Sequence, residues 1–338
     1  MSRAICEYRG DFGRIALLDV DRPLVLHAHP QCHVLLKACG MDAHFSVRGA
    51  VQPLRDDTAV LVNTWEPHAY VQVGEQAPDT VFLALYLDTA WVREVDPRLK
   101  GAAGRRFFEH PITRLGRGLR RRIDNLVEEM SCAQGVGRDW LEGEIESIVM
   151  DVVGAGRGRG IGPPDGLRSA PDRRIRRALD LLQTCAGDDR DIDDLACAVG
   201  LSRAHFFKLF REATGLTPHL YLNTLRMESA LRTLACSDVT LSRLSTDLGF
   251  SAQGHFTRFF EQRMGTVPSQ YRRVVSVLAH GPGFPEACAD RAANAEVRTP
   301  AQTGSSSTQA LTAPMARMES ASQALRKFNL FLDHDSHG

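Results

Sequence analysis

Two sets of side chains in this sequence are placed to do chemistry. The first is His27, His29, His33 and His68, the last flanked by Trp65 and Tyr70. His27 and His29 stand two apart, so on a strand both imidazoles face the same side. Neutral imidazoles converging in this way can ligate Zn, Fe or Ni, line a dry pocket for a small organic molecule, or hydrogen-bond to one another. The second set is cationic and amidic: Arg203, His205, Lys208 and Arg211, then Arg226, then Gln253, His255, Arg258 and Arg263. Such side chains, spaced along a helix, reach base edges and phosphates in the major groove of DNA.

The elements that must carry the second set are written twice. Leu195-Ala196, Gly200-Leu201-Ser202, Phe206, Leu209-Phe210, Gly215, Pro218 and Tyr221 return as Leu244-Ser245, Gly249-Phe250-Ser251, Phe256, Phe259-Phe260, Gly265, Pro268 and Tyr271. The offset is forty-nine positions up to the turn glycines and fifty from Phe206 and Phe256 onward. In each copy the spacing predicts a helix, a tight turn closed by a left-handed glycine, and a second helix. Ser202 is expected to cap the second helix of the first copy. Phe206, Leu209 and Phe210 bury one face, and the basic residues take the other. Thr217 and Pro218 open a connecting helix that runs to about Leu234. A single amphipathic helix of this kind is usually only a solvated surface helix. Two copies with matched turn, cap, glycine and proline positions are hard to obtain by accident.

On these residues the stretch from about 172 to 275 resembles the DNA-binding domain of AraC-type bacterial transcription regulators, whose signature is similar to Gly249-Phe250, Phe256 to Phe260 and Gly265 to Arg272. Ser245 and Ala252 depart from the family pattern, and Gly254 lowers helix propensity in the second copy. The resemblance implies that Arg203, His205, Lys208, Gln253, His255 and Arg258 contact the groove. Arg211, Arg226 and Arg263 are then expected on phosphate. Double-stranded DNA, a small-molecule effector, a second copy of the chain and RNA polymerase are the partners it implies.

Residues 14 to 90 read as many short strands, among them Arg14 to Val20, Leu24 to Ala28, Val34 to Ala38, His44 to Val47, Ala59 to Val62, Tyr70 to Val73 and Val81 to Leu87. That pattern predicts a sandwich or small barrel. His27-x-His29, Gly40 and Pro67-His68 resemble the two cupin motifs, with His33 where that family has Glu. The resemblance implies an effector pocket built from His27, His29, His33, Trp65, His68 and Tyr70, or a divalent metal on His27, His29, His33 and His68. Two helical stripes follow, Leu119 to Met130 and Trp140 to Val149. They form an αα pair that either resembles a dimerisation element or packs on its own barrel.

The expected organisation is α+β in two domains. A cupin-like effector-binding and dimerisation domain (1–153) with its helical pair is followed by a linker (154–171) rich in Gly, Pro and Arg. An all-α double helix-turn-helix domain (172–276) comes next, then a largely disordered tail (277–338). Formal charge is zero, but residues 172–273 hold fifteen Lys and Arg against twelve Asp and Glu, leaving twenty-six against twenty-nine elsewhere. The eight cysteines lack Cys-x-x-Cys spacing and read as reduced thiols. With neither a signal-like start nor a membrane-length apolar run, the expected location is the cytoplasm. The reading is thus an effector-responsive DNA-binding regulator and not an enzyme. Its rival is a metal-dependent cupin enzyme carrying a DNA-binding domain. An alkylation-response protein is disfavoured because no four-cysteine zinc arrangement accompanies Cys6 and Cys32.

Overall fold

The computed structural model describes residues 3–74, 79–95, 107–132, 136–155, 172–184 and 192–277. Nearly all of the linker and of the tail lie outside the described residues, as do Asp188, Asp189 and Asp191 of the acidic group that Asp193 and Asp194 complete before the first repeat.

The amino-terminal part is built on two sheets. The larger contains β1 (Arg3–Gly10), β2 (Gly13–Val20), β3 (Cys32–Gly40), β6 (Thr58–Val62), β8 (Thr80–Leu87) and β9 (Ile112–Arg114). The smaller contains β4 (Ala43–Val47), β5 (Ala50–Leu54) and β7 (His68–Val71). A short helix, α1 (Thr89–Val95), follows β8, and the helical pair is α2 (Arg117–Met130) with α3 (Arg138–Ala155). β8 shows why the order is stable, since it lies between β2 and β3 and is buried along its whole length. On one face Val81, Leu83, Leu85 and Leu87 join Ile123, Leu126, Ile145 and Ile148 of the helical pair. On the other, Phe82, Ala84 and Tyr86 meet Phe45, Val47 and Tyr70 of the smaller sheet. A strand buried on both faces reads as a continuous apolar run, as Val81 to Leu87 does. The apolar stripes of α2 and α3 therefore cover their own sheet.

The carboxyl-terminal part is helical. It runs α4 (Arg173–Thr184), α5 (Ile192–Ala198), α6 (Arg203–Thr214), α7 (Pro218–Cys236), α8 (Leu241–Asp247), α9 (Gln253–Met264) and α10 (Pro268–Val274), and ends in β10 (Val275–Val277). Each repeat has its own core. Phe206, Phe210 and Tyr221 pack with Ile175 and Leu195 in the first, and Phe256, Phe260 and Tyr271 with Leu231 and Leu244 in the second. α7 contributes to both, so one continuous helix carries the two units. Gly200 and Gly249 adopt φ of 71° and 73°. A Cβ at Gly200 would meet no atom within 4 Å, so the left-handed backbone alone demands glycine there. Ser202 accepts from the His205 amide, Thr217 from the Leu220 amide and Asp172 from the Arg174 amide, as the capping pattern predicts.

Three expectations are corrected. Leu24 to Ala28 is no strand, because its backbone makes an isolated bridge between His27 and His68 and single bonds from Leu24 to Tyr70 and from Val25 to Gln262 in place of a ladder. The barrel expectation also missed β1, β5 and β9, whose apolar alternation is weak. Cys6, Cys32, Cys39, Cys132 and Cys197 are free thiols, but Cys236 is disulfide-bonded. Spacing alone carries no sign of that bond.

Candidate functional site

The two helices expected to read DNA are α6 and α9, and their outward faces are exposed. Arg203, His205, Lys208 and Arg211 lie open on α6, and Gln253, His255 and Arg258 on α9. Each helix is held by its inner aromatic residues, fully buried at Phe206, Phe210, Phe256 and Phe260. That burial fixes the rotation of the helix and hence which side chains face out. Arg203 pairs with Asp193 of α5 and lies 5.1 Å from the centroid of Phe207. His255 shares a 2.9 Å hydrogen bond with Ser251.

Two expected phosphate contacts lie elsewhere. Arg263 points off the reading face of α9, over the Phe259 ring at 4.0 Å, with Nη1 donating to the Phe259 carbonyl. Desolvation lowers its pKa to about 10. It lines a cleft shared with His27, His29 and Tyr86. Arg226 is half-buried on α7 and lies 5.5 Å from the Phe250 ring. Helical spacing cannot show that the cleft beside His27 and His29 takes Arg263 or that Phe250 lies beside Arg226.

The sheet domain is docked on the helical one through side chains distant in sequence. β10 extends the larger sheet as a parallel neighbour of β1, with Glu7 opposite Val275. Tyr271 donates to the fully buried Glu7 carboxylate. Arg9 donates to Glu7 and to the Tyr271 hydroxyl, each at 3.0 Å. Arg14 completes the cluster at 3.4 Å from Glu7, with its guanidinium 3.3 Å from the Tyr86 ring centroid. Burial pushes the Tyr271 hydroxyl pKa up, so it remains a donor. On α7, Thr224 donates to the Ala28 carbonyl at 2.9 Å, and Gln31 donates to Glu228 at 3.0 Å. Arg22 pairs with Glu261 of α9 at 3.1 Å.

The four histidines sit beside this joint. His29, His33 and His68 are buried and His27 partly so. His29 Nε2 lies 3.2 Å and His68 Nε2 3.4 Å from His33 Nδ1. Tyr86 stacks on His33 with centroids 4.0 Å apart. Burial away from water lowers the pKa of His68 to about 4 and those of His27, His29 and His33 well below the usual imidazole range. All four rings are therefore neutral at pH 7.

Trp65 and Tyr70 are not brought to this cluster. Tyr70 packs between Phe45 and Phe82 in the inter-sheet core. Trp65 takes φ of 58°, a left-handed conformation that is uncommon for a bulky side chain, and stacks on Tyr221 at 4.6 Å. Its amide donates to the His29 carbonyl at 2.8 Å. Sequence reasoning missed Arg14, Tyr86, Asn223, Thr224, Met227 and Glu228, which line the histidine cleft from β2, β8 and α7. No local motif marks them, since their meeting depends on how the domains dock.

Among known proteins, the model for a helix-turn-helix domain matches residues 195–274. The regulatory protein PocR of Salmonella typhimurium is 32% identical over 113 residues, 33% of this chain and 37% of that protein. The HTH-type transcriptional regulator MtrA of Neisseria gonorrhoeae is 25% identical over 107 residues, 32% of this chain and 36% of that protein. The chain thus spans little more than a third of the length of these relatives. Among solved structures, ToxT from Vibrio cholerae is 11% identical with a TM-score of 0.47, covering 77% of this chain and 97% of that one. Among the described residues no helix is long and apolar enough to cross a membrane.

Proposed function

We propose, from a chain whose residues 195–274 form a helix-turn-helix domain, that the protein is a sequence-specific DNA-binding transcription regulator of AraC type. The observation that carries this reading is the pair of exposed, cationic helices α6 and α9, each locked by its own aromatic core on the shared helix α7. Arg203, His205, Lys208, Gln253, His255 and Arg258 are assigned to the groove and Arg211 to phosphate. Arg203 must exchange Asp193 for the nucleic acid. Arg263 is assigned to packing at the domain joint and Arg226 to packing on Phe250 within the helical domain.

The sheet domain is read as a cupin-like sensor that takes a small-molecule effector in the cleft beside His27 and His29. Its joint with α7, α9 and β10 is the route by which occupancy alters DNA affinity, and linkage makes that influence reciprocal. A homodimer, contact with RNA polymerase and a cytoplasmic location belong to the same reading. The domain boundaries proposed are 1–153, 154–171, 172–276 and 277–338.

The test begins by selecting a binding site from random duplex DNA. Arg258→Ala is then expected to cost about 1–3 kcal/mol and to relax preference at one base position. Arg211→Ala is expected to weaken all sequences alike and to reduce the salt slope by about 1. Unchanged specificity and unchanged salt dependence in both variants would contradict the assignment.

A further inference from the structure

The sheet domain takes hold of the same residue in each repeat. Tyr221 and Tyr271 stand fifty positions apart, as do Phe210 and Phe260. Each tyrosine packs on the phenylalanine that locks its own reading helix, with centroids 5.6 and 5.5 Å apart. In the first repeat Trp65 lies flat on Tyr221, at an interplanar angle of 11°. In the second, Glu7 and Arg9 hold the Tyr271 hydroxyl. The chemistry differs, but the point of attachment is the same.

Trp65 is held there in a strained backbone. A left-handed conformation is an outlier for a bulky side chain and persists only where the surroundings over-determine it. Its amide is fixed by the His29 carbonyl and its ring by Tyr221, so a partner in each domain maintains the strain.

The segment between β2 and β3 makes a further link. Arg22 pairs with Glu261, and the Val25 amide donates to the Gln262 carbonyl at 3.2 Å, both in the last turn of α9. Ala28 lies in the core of the first repeat, and Gln31 donates to Glu228 of α7. The three residues from Val25 to Ala28 span at most about 11 Å. The end of α9 and the first core therefore cannot drift apart while both contacts hold. Between the two cores themselves α7 is the shared element. Its 19 residues make a helix about 28 Å long, and helices of that length are rarely straight.

We propose that the sheet domain clamps the two repeats and sets the interval between α6 and α9, with Trp65 and the Glu7–Arg9 pair as positioning residues. The protein then selects the spacing of its two half-sites as well as their bases. One inserted base pair moves a half-site by about 3.4 Å and turns it by about 34°. A clamped pair of helices must strain to follow, and a loosened pair follows with less loss. The spacing consequence rests on the DNA reading of α6 and α9, whereas the clamp does not.

Two measurements on the full-length chain separate the clamp from its consequence. The first uses no DNA. Spin labels on ketone-bearing residues replace Lys208 and Arg258, the exposed and repeat-equivalent positions of α6 and α9, and double electron–electron resonance reads the interval between them. One narrow distance distribution is expected. Trp65→Gly removes the ring and suits the left-handed backbone, and Tyr271→Phe removes only the hydroxyl. Each should broaden the distribution, and Trp65→Phe should restore it by keeping a ring to stack. An unchanged distribution in either variant overturns that half of the clamp. In the second measurement, affinity is compared between the selected duplex and the same duplex with one base pair inserted between the half-sites. The insertion should cost the wild type about 100-fold and Trp65→Gly about tenfold, a difference within the usual range of coupling between sites. Base preference inside each half-site should not change. Equal penalties, or altered base preference in place of an altered penalty, overturn the spacing role even where the clamp stands. A wild type that binds no duplex overturns the DNA reading and the spacing role with it, and the spin labels still decide the clamp.

Discussion

Glu7→Ala is expected to destabilise the protein by about 3–5 kcal/mol, because it leaves two guanidiniums buried without their carboxylate. Glu7 is fully buried, and Arg9 at 3.0 Å and Arg14 at 3.4 Å both depend on it. The pair of charges is costly to desolvate, so its net worth is small while it is intact. Removing one partner is another matter, since neither arginine can lose its proton. The same carboxylate receives the Tyr271 hydroxyl, and the neighbouring backbone of β1 pairs with β10. The loss should therefore fall on the joint between the domains as well as on the sheet. Urea denaturation of the wild type, Glu7→Ala and Glu7→Gln gives the ordering. The glutamine variant is expected in between, because it keeps the shape and an acceptor but not the charge. Limited proteolysis under native conditions should release the helical domain from Glu7→Ala first. A cost below about 1 kcal/mol would mean that the cluster is open to water and does not fasten the domains.

Phe260→Ala is expected to cost about 3–5 kcal/mol and to do so locally. The ring has no exposed surface and packs edge-on against Phe256 and Tyr271, with centroids 6.0 and 5.5 Å away. Its partner in the first repeat, Phe210, packs against Phe206 and Tyr221 at 5.5 and 5.6 Å. Because the two aromatic cores are separate and share only α7, Phe260→Ala should free α9 and leave α6 in place. Phe210→Ala should do the converse. Hydrogen exchange would show loss of protection in α8 and α9 for the first variant and in α5 and α6 for the second. Loss of protection across both units from either substitution would show one cooperative core instead of two.

The contrast between these cases explains what could be read from the chain itself. The repeats were legible because their signals are local. Leu195 and Val199 lie one helical turn apart, Gly200 ends a helix, Ser202 starts one, and Phe206 with Phe210 marks the buried face, all within sixteen residues. The outward positions Lys208 and Arg258 follow from the same period. The strand at Val81 to Leu87 was legible too, as an unbroken apolar run. The joint was not legible, since Glu7 and Tyr271 are 264 positions apart and nothing in either neighbourhood names the other. For that reason Arg263 was expected on phosphate and lies in the cleft. The histidines were legible as a composition, but their arrangement was not. His27 and His29 owe their orientation to hydrogen bonds with Val25 and Gln31 on an irregular segment and not to the alternation of a strand.

Hydroxyl-radical footprinting of the full-length protein on its selected duplex, at low ionic strength, tests the central claim most directly. The account predicts two protected patches on one face of the DNA, about one helical turn or 10–10.5 base pairs apart. One should vanish with Phe210→Ala and the other with Phe260→Ala. Uniform protection, or none at any ionic strength, would contradict it.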